Sequence, residues 1–147
     1  IRQSLVGSEM CIRDRHRHNP EIGQMIKRFT KVKSIFDFTP HLSPMFRGIL
    51  STIYVDLNKS SSQSKIIKTL SNFYKKSTFV KIMSKDKLIS TNDVINSNNC
   101  HISICKTKNK NRIIILSAID NLIKGGAGQA IQNMNIKYGF PINAGLK

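Results

Sequence analysis

Apolar and polar positions recur with two different periods along the chain, and the periods divide it into elements. Ile22, Met25, Ile26 and Phe29 fall at helical spacing behind Asn19-Pro20-Glu21. That tripeptide supplies a capping side chain, a proline for the first helical position and an acid for the first turn. The spacing predicts a helix to about Phe29. Residues 32–38 alternate and predict a strand ending at Thr39-Pro40. A loop with Pro44, Arg47 and Gly48 leads to 49–57, where alternation predicts a strand with one face toward the core. Ser60, Ser61 and Ser62 offer a cap, and Ile66, Ile67, Leu70, Phe73 and Tyr74 form one stripe, so an amphipathic helix follows. Residues 79–83 predict a short strand, and the polar stretch 84–100 predicts a loop. Residues 101–106 and 112–119 predict a hairpin through Thr107-Lys108-Asn109-Lys110-Asn111. A glycine-rich turn at Gly125 then opens a last helix carrying Ala130, Ile131 and Met134. The order α-β-β-α-β-β-β-α predicts an α+β domain with a mostly antiparallel sheet covered by helices.

Size and composition narrow this further. A chain of 147 residues holds one domain with a real core. The longest apolar run, residues 113–116, is far short of a membrane span. Three cysteines are too few for a disulfide scaffold and too odd for a fully paired secreted protein. The formal charge of +16 suggests a nucleic-acid partner at first sight. However, 52 of the 147 residues are Ile, Lys or Asn, all encoded by A/T-rich codons, and no basic run reaches five. A solvated basic surface is therefore the expectation, with a small basic nucleic-acid-binding domain as the alternative.

The first fifteen residues stand apart. They contain neither an initiator Met nor the charged-then-apolar order of a secretory signal. Ser4 to Arg15 resembles the translated sequencing-library adapter found in predicted proteins from shotgun assemblies. Residues 1–15 are accordingly expected to be non-native, Cys11 is set aside, and 16–147 is the expected domain.

Three segments carry candidate chemistry. His16-Arg17-His18 stands directly before the first helix start. Histidine moves protons near neutrality, and a helix N-terminus favours an anionic group. In the second segment, residues 38–48, two prolines fix a turn and Arg47 offers a fork for a carboxylate or phosphate. The third, residues 120–130, leads through Lys124-Gly125-Gly126-Ala127-Gly128 into Gln129. It fits neither a dinucleotide fingerprint nor a P-loop, whose lysine follows the glycines. Close backbone packing is the expectation there. The His and Cys spacings match no zinc signature, and no metal is expected. Cys100 and Cys105 read as structural.

Together these segments resemble the N-acetyl-gamma-glutamyl-phosphate reductase family of arginine biosynthesis. The resemblance rests on residues 16–22, 38–54 and 118–135, with support from 79–81 and 94–100, and covers 16–146 in order. It implies the C-terminal domain of the glyceraldehyde-3-phosphate/semialdehyde dehydrogenase type, used for substrate binding and dimerisation. The family's nucleotide-binding Rossmann half and its nucleophilic cysteine, in an Asn-Pro-Gly-Cys-like setting, are expected outside this chain. The implied reaction reduces N-acetyl-glutamyl 5-phosphate to the 5-semialdehyde with NADPH, through a thioester that accepts hydride. By resemblance His18 is the acid/base and His16 its substrate-side partner, with Arg47 a lesser substrate anchor. Gly125, Gly128 and Gln129 would approach the nicotinamide of NADP. A cytoplasmic homo-oligomer, free of membrane and nucleic acid, is implied, and the fragment is expected to be inactive alone. Gly126 stands where alanine is commoner, Asn96 where glycine is, and Lys81 where arginine is. Asn96 should be tolerated, because Asn accepts left-handed geometry.

Overall fold

The computed structural model describes residues 16, 18–31 and 35–147. The segment 1–15 expected to be adapter-derived, with Cys11, lies outside the described residues. The chain forms two compact units, residues 1–44 and 45–147.

In the first unit, α1 spans His18–Thr30. Glu21 in its first turn and Lys27 and Arg28 in its last complement the helix dipole. The helix starts at His18, just ahead of the expected cap, with the Asn19 N–H donating to the His16 carbonyl at 2.9 Å. It ends where Lys31 turns left-handed at φ 58°. No residue of α1 is buried, and Met25 and Phe29 of its apolar stripe are exposed. The strand expected over 32–38 is not borne out in its described part. Residues 35–40 adopt no regular structure. Ile35 is fully exposed, while the Phe36 ring lies where a Cβ on Gly23 would touch it and the Phe38 ring packs on His16. Alternation alone does not make a strand: a ladder needs a neighbour, and here one ring meets α1 and the other meets His16 ahead of it.

The second unit is a four-stranded sheet. Its strands are β1 (Ile49–Asp56), β2 (Val80–Ile82), β3 (Cys100–Lys106) and β4 (Arg112–Ile119), in the order β1-β4-β3-β2. The β1/β4 and β4/β3 pairs are antiparallel and β2/β3 is parallel, so the sheet is mostly antiparallel as expected. The hairpin turns through Asn109, whose side chain accepts the Asn111 N–H at 2.9 Å. α2 (Gln63–Phe73) crosses from one sheet edge to the other, and Ser62 caps it by accepting the Lys65 N–H.

Register sorts the sheet residues into two faces. Ala118 pairs with His101, and Leu116 with Ser103, on one face. Ile89, Val94 and Met83 pack on Ala118 and Leu116. The stretch expected as a plain polar loop therefore supplies core. It is stiffened by a single 3-10 turn, Thr91–Asp93, in which the Asp93 carboxylate accepts the Ser90 N–H at 2.8 Å. Ile104 and Ile113 are buried on the other face. β1 departs from expectation: Ile49, Leu50, Ile53 and Tyr54 are exposed on both of its faces, and only Val55 is half-buried. Being an edge strand, it has a neighbour on one side only.

After β4 the chain makes a π-type turn, Ile123–Ala127, and enters α3 (Gly128–Tyr138). A Cβ on Gly128 would come within 2.5 Å of the Ile123 side chain and 2.6 Å of Asn98 Oδ1. That is the close packing the small-residue run predicts. At Gly126 a Cβ would meet the Asn121 carbonyl at an ordinary 3.5 Å. Buried Asn135 ties the last residues to α3 by donating to the Ile142 and Ala144 carbonyls.

Candidate functional site

The histidine motif belongs to the first unit. The His18 backbone N–H donates to His16 Nδ1 at 3.3 Å, and the two rings lie edge to face at 4.8 Å. His16 is half-buried, with the Phe38 ring 5.3 Å away. Its Nδ1 lone pair is engaged, so the neutral ring carries its proton on Nε2. His18 is exposed at the first position of α1. One imidazole is thus held in place and its neighbour is open to a ligand.

The glycine turn belongs to the second unit, where one carboxylate organises it. The Asp120 side chain is fully buried and that of Arg47 is 23% exposed. Asp120 Oδ1 accepts the Leu122 and Ile123 N–H groups at 2.9 and 3.1 Å, and Oδ2 accepts the Asn96 N–H at 2.7 Å. Arg47 Nη2 lies 3.0 Å from Oδ2 and donates to Oδ1 at 3.2 Å, while Nη1 donates to Asn96 Oδ1 at 2.8 Å. Burial alone would raise the Asp120 pKa. The N–H donors of Asn96, Ile123 and Leu122, with the Arg47 guanidinium, outweigh it and hold the carboxyl below the ordinary range. Asn96 is left-handed at φ 61°, and its side chain completes the guanidinium's pairing.

Gly48 joins the same knot. Its N–H donates to Asn121 Oδ1 at 2.7 Å. With φ at 108° and Thr91 2.7 Å from any added Cβ, only glycine fits. Arg47, expected as a substrate anchor, therefore has both Nη atoms engaged within the chain. Asp120, Asn96 and Asn121 were not singled out as site residues. An Asp two residues before a run of free turn N–H groups was the readable signal.

A cavity of about 290 Å³ opens beside the turn. Asn96 and Ser97 line one part of it, Ile123, Ala127, Gly128 and Ile131 another, and Gly145, Leu146 and Lys147 a third. Gln129, in the first turn of α3, donates to Asn133 at 2.9 Å. Behind the turn, Lys124 Nζ donates to Gln132 Oε1 at 2.8 Å and stands 5.4 Å from the centre of the Phe79 ring. Burial lowers its pKa, opposed by nearby Cys100. Cys100 and Cys105 are free thiols. Among the described residues, no three His, Cys, Asp or Glu side chains converge to hold a metal ion.

Comparison with known proteins adds a decisive observation. Residues 11–121 match the family described as semialdehyde dehydrogenase, dimerisation domain. The chain belongs to this family. The match starts at residue 11, inside the segment set aside as adapter-derived. Curated relatives carry the name N-acetyl-gamma-glutamyl-phosphate reductase. The one from Clostridium botulinum (strain Eklund 17B / Type B) is 48% identical over 131 residues, which is 89% of this chain and 38% of the relative. Those from Geobacter metallireducens and Thermoanaerobacter pseudethanolicus are 46% and 44% identical over 132 residues, 90% of this chain and 38% of each relative. The chain thus spans 38% of the length of these relatives, and they lend no support to the nucleic-acid alternative. Within this family the α+β sheet domain seen here is the dimerisation domain, as the resemblance implied. Among the described residues no helix is long and apolar enough to cross a membrane.

Proposed function

We propose that this chain is the substrate-binding and dimerisation part of an N-acetyl-gamma-glutamyl-phosphate reductase, the NADPH-dependent enzyme that reduces an acyl phosphate to an aldehyde. The observation that carries the reading is identity of 44–48% to reductases of that name over some nine-tenths of the chain. The acyl phosphate, the nucleophilic thiol and the nucleotide-binding half are assigned here to the complete enzyme, since the chain spans 38% of its relatives.

In this reading His18 is the acid/base. It is exposed, whereas His16 is held by Phe38 and by the His18 N–H. His18 would take the proton from the attacking thiol and hold one at the oxygen of the tetrahedral adduct. His16, with Nε2–H directed away from its engaged Nδ1, would donate to the substrate. We assign Arg47 to tying the turn, not to substrate, because Asp120 and Asn96 already occupy its fork.

The cavity beside Gly128 suits a nicotinamide ring. Its volume is at the small end of ligand pockets, and its walls are largely apolar, with Asn96 and Ser97 among the lining residues. Of the three turn residues expected at that end of NADP, Gly128 lines the cavity and Gly125 and Gln129 do not; we assign those two to the cofactor beside it. When bound, the cofactor supplies hydride. The chain's own contribution is to orient the ring and exclude water. Self-association through the sheet accords with the apolar side chains open along β1. The reading puts the enzyme in the cytoplasm, with its NADPH and phosphorylated substrate.

The test is NADPH oxidation with N-acetyl-glutamyl phosphate. The complete enzyme should turn over and the isolated 147-residue chain should not. Turnover by the isolated chain would overturn the division of labour, and none by the complete enzyme would overturn the activity.

A further inference from the structure

His101 is buried on β3, and among the described residues neither of its ring nitrogens has a hydrogen-bond partner. Its register places it between Lys81 of β2 and Ala118 of β4, on the face that Ile89 and Val94 of the 84–97 segment cover. Charged groups of both signs face the ring: Lys81 from β2, and Lys87 and Asp93 from the covering segment. β4 offers apolar Leu116 and Ala118 on this face. Asp93 is the one carboxylate of the set, and it is already in use. It accepts the Ser90 N–H at 2.8 Å and closes the 3-10 turn Thr91–Asp93. The turn is tied onward. The Thr91 carbonyl accepts the Val94 and Ile95 N–H groups at 3.1 and 3.0 Å, and the Val94 carbonyl accepts the Ser97 hydroxyl at 2.7 Å. Ser97 lines the cavity beside Gly128.

We propose that His101 and Asp93 form a pH-operated switch: a proton on His101 draws the Asp93 carboxylate from the Ser90 N–H, and the 90–97 segment loosens where it lines the cavity. The switch works whatever occupies the cavity. A neutral imidazole has no charge to hydrate and is tolerated here. An imidazolium donates from both nitrogens, and two lysines already face it. Asp93 is the acceptor whose charge compensates it. Burial, with Lys87 and Lys81, makes the ring harder to protonate while the segment is closed, against the pull of Asp93. The open segment therefore binds the proton more readily, and opening is favoured as the pH falls below the ordinary histidine value.

The experiment is amide hydrogen exchange, read by mass spectrometry, on the complete protein that carries this domain. It runs from about pH 7.5 to about pH 5, with each rate divided by its intrinsic value at that pH. Peptides within 88–97 should exchange about tenfold faster at the acid end, while β3 and β4 keep their protection. His101→Leu cannot take the charge and should hold 88–97 at its neutral rate throughout. Asp93→Asn keeps an acceptor for the Ser90 N–H but loses the charge, and should move the acceleration to lower pH. A wild-type segment whose protection is indifferent to pH overturns the proposal, as does an acceleration that persists in His101→Leu. Acceleration shared equally by β3 and β4 overturns it too, because that is global unfolding. Should His101→Leu fail to fold, Asp93→Asn decides: acceleration at the parental pH in that variant overturns the switch.

Discussion

His101 shows what burial does to one side chain. It lies on β3 beneath the 84–97 segment, and among the described residues neither of its buried ring nitrogens has a hydrogen-bond partner. Burial lowers its pKa below 6.5, and Lys81 on β2 and Lys87 in the covering segment lower it further, against an opposing pull from Asp93. The unfolded chain binds this proton more readily than the folded one. Stability should therefore be flat in this group above pH 6.5 and fall as the pH drops from 6.5 toward the depressed value. Urea titrations at neutral and mildly acidic pH should show that loss, and His101→Leu should flatten it; an unchanged slope in the variant would reassign the cause. Asp120 behaves oppositely, since its depressed pKa contributes stability above the ordinary carboxylate value that is lost in stronger acid. Asp120→Ala strands Arg47 and three N–H groups, and should cost about 3 kcal/mol in a urea titration.

Among elements, α2 and β1 show what patterning reads well and what it misses. The stripe Ile66, Ile67, Leu70 with its serine cap forms the expected helix, and Ser62→Ala should cost about 1 kcal/mol of stability by denaturant titration. The hairpin of β3 and β4 was equally legible, because its turn chemistry and its apolar runs agree. β1 was legible as a strand but not in its burial. Ile49, Leu50, Ile53 and Tyr54 look like core residues in sequence, yet among the described residues they stay exposed. Ile53→Lys should barely move the melting temperature but weaken self-association in analytical ultracentrifugation; a variant that self-associates as the parent does would place the interface elsewhere. The opposite error occurred at 35–38, where the Phe36 ring lies against Gly23 of α1 and the Phe38 ring against His16, and no strand forms. The histidine motif and the glycine turn were legible because their residue types are unusual at those spacings. Asp120 and Asn96 were not, because their role is created by contacts with Arg47, 73 and 49 residues away in sequence.

Across the whole molecule, charge and chemistry separate. The excess of Lys and Arg goes with a composition rich in Ile, Lys and Asn, while the groups of the candidate site are few and held by hydrogen bonds within the chain. The two units each carry one part of the proposed reaction: an open imidazole beside a held one in 1–44, and a small-walled turn with its carboxylate latch in 45–147. What unites them is the claim that this chain handles the proton while the rest of the enzyme brings sulfur and hydride. The most direct measurement is steady-state NADPH oxidation by the complete reductase carrying His18→Asn, with its unfolding midpoint measured alongside. The account predicts a turnover number lower by about a hundredfold or more, with the midpoint unchanged. A folded variant that turns over at the parental rate would contradict it.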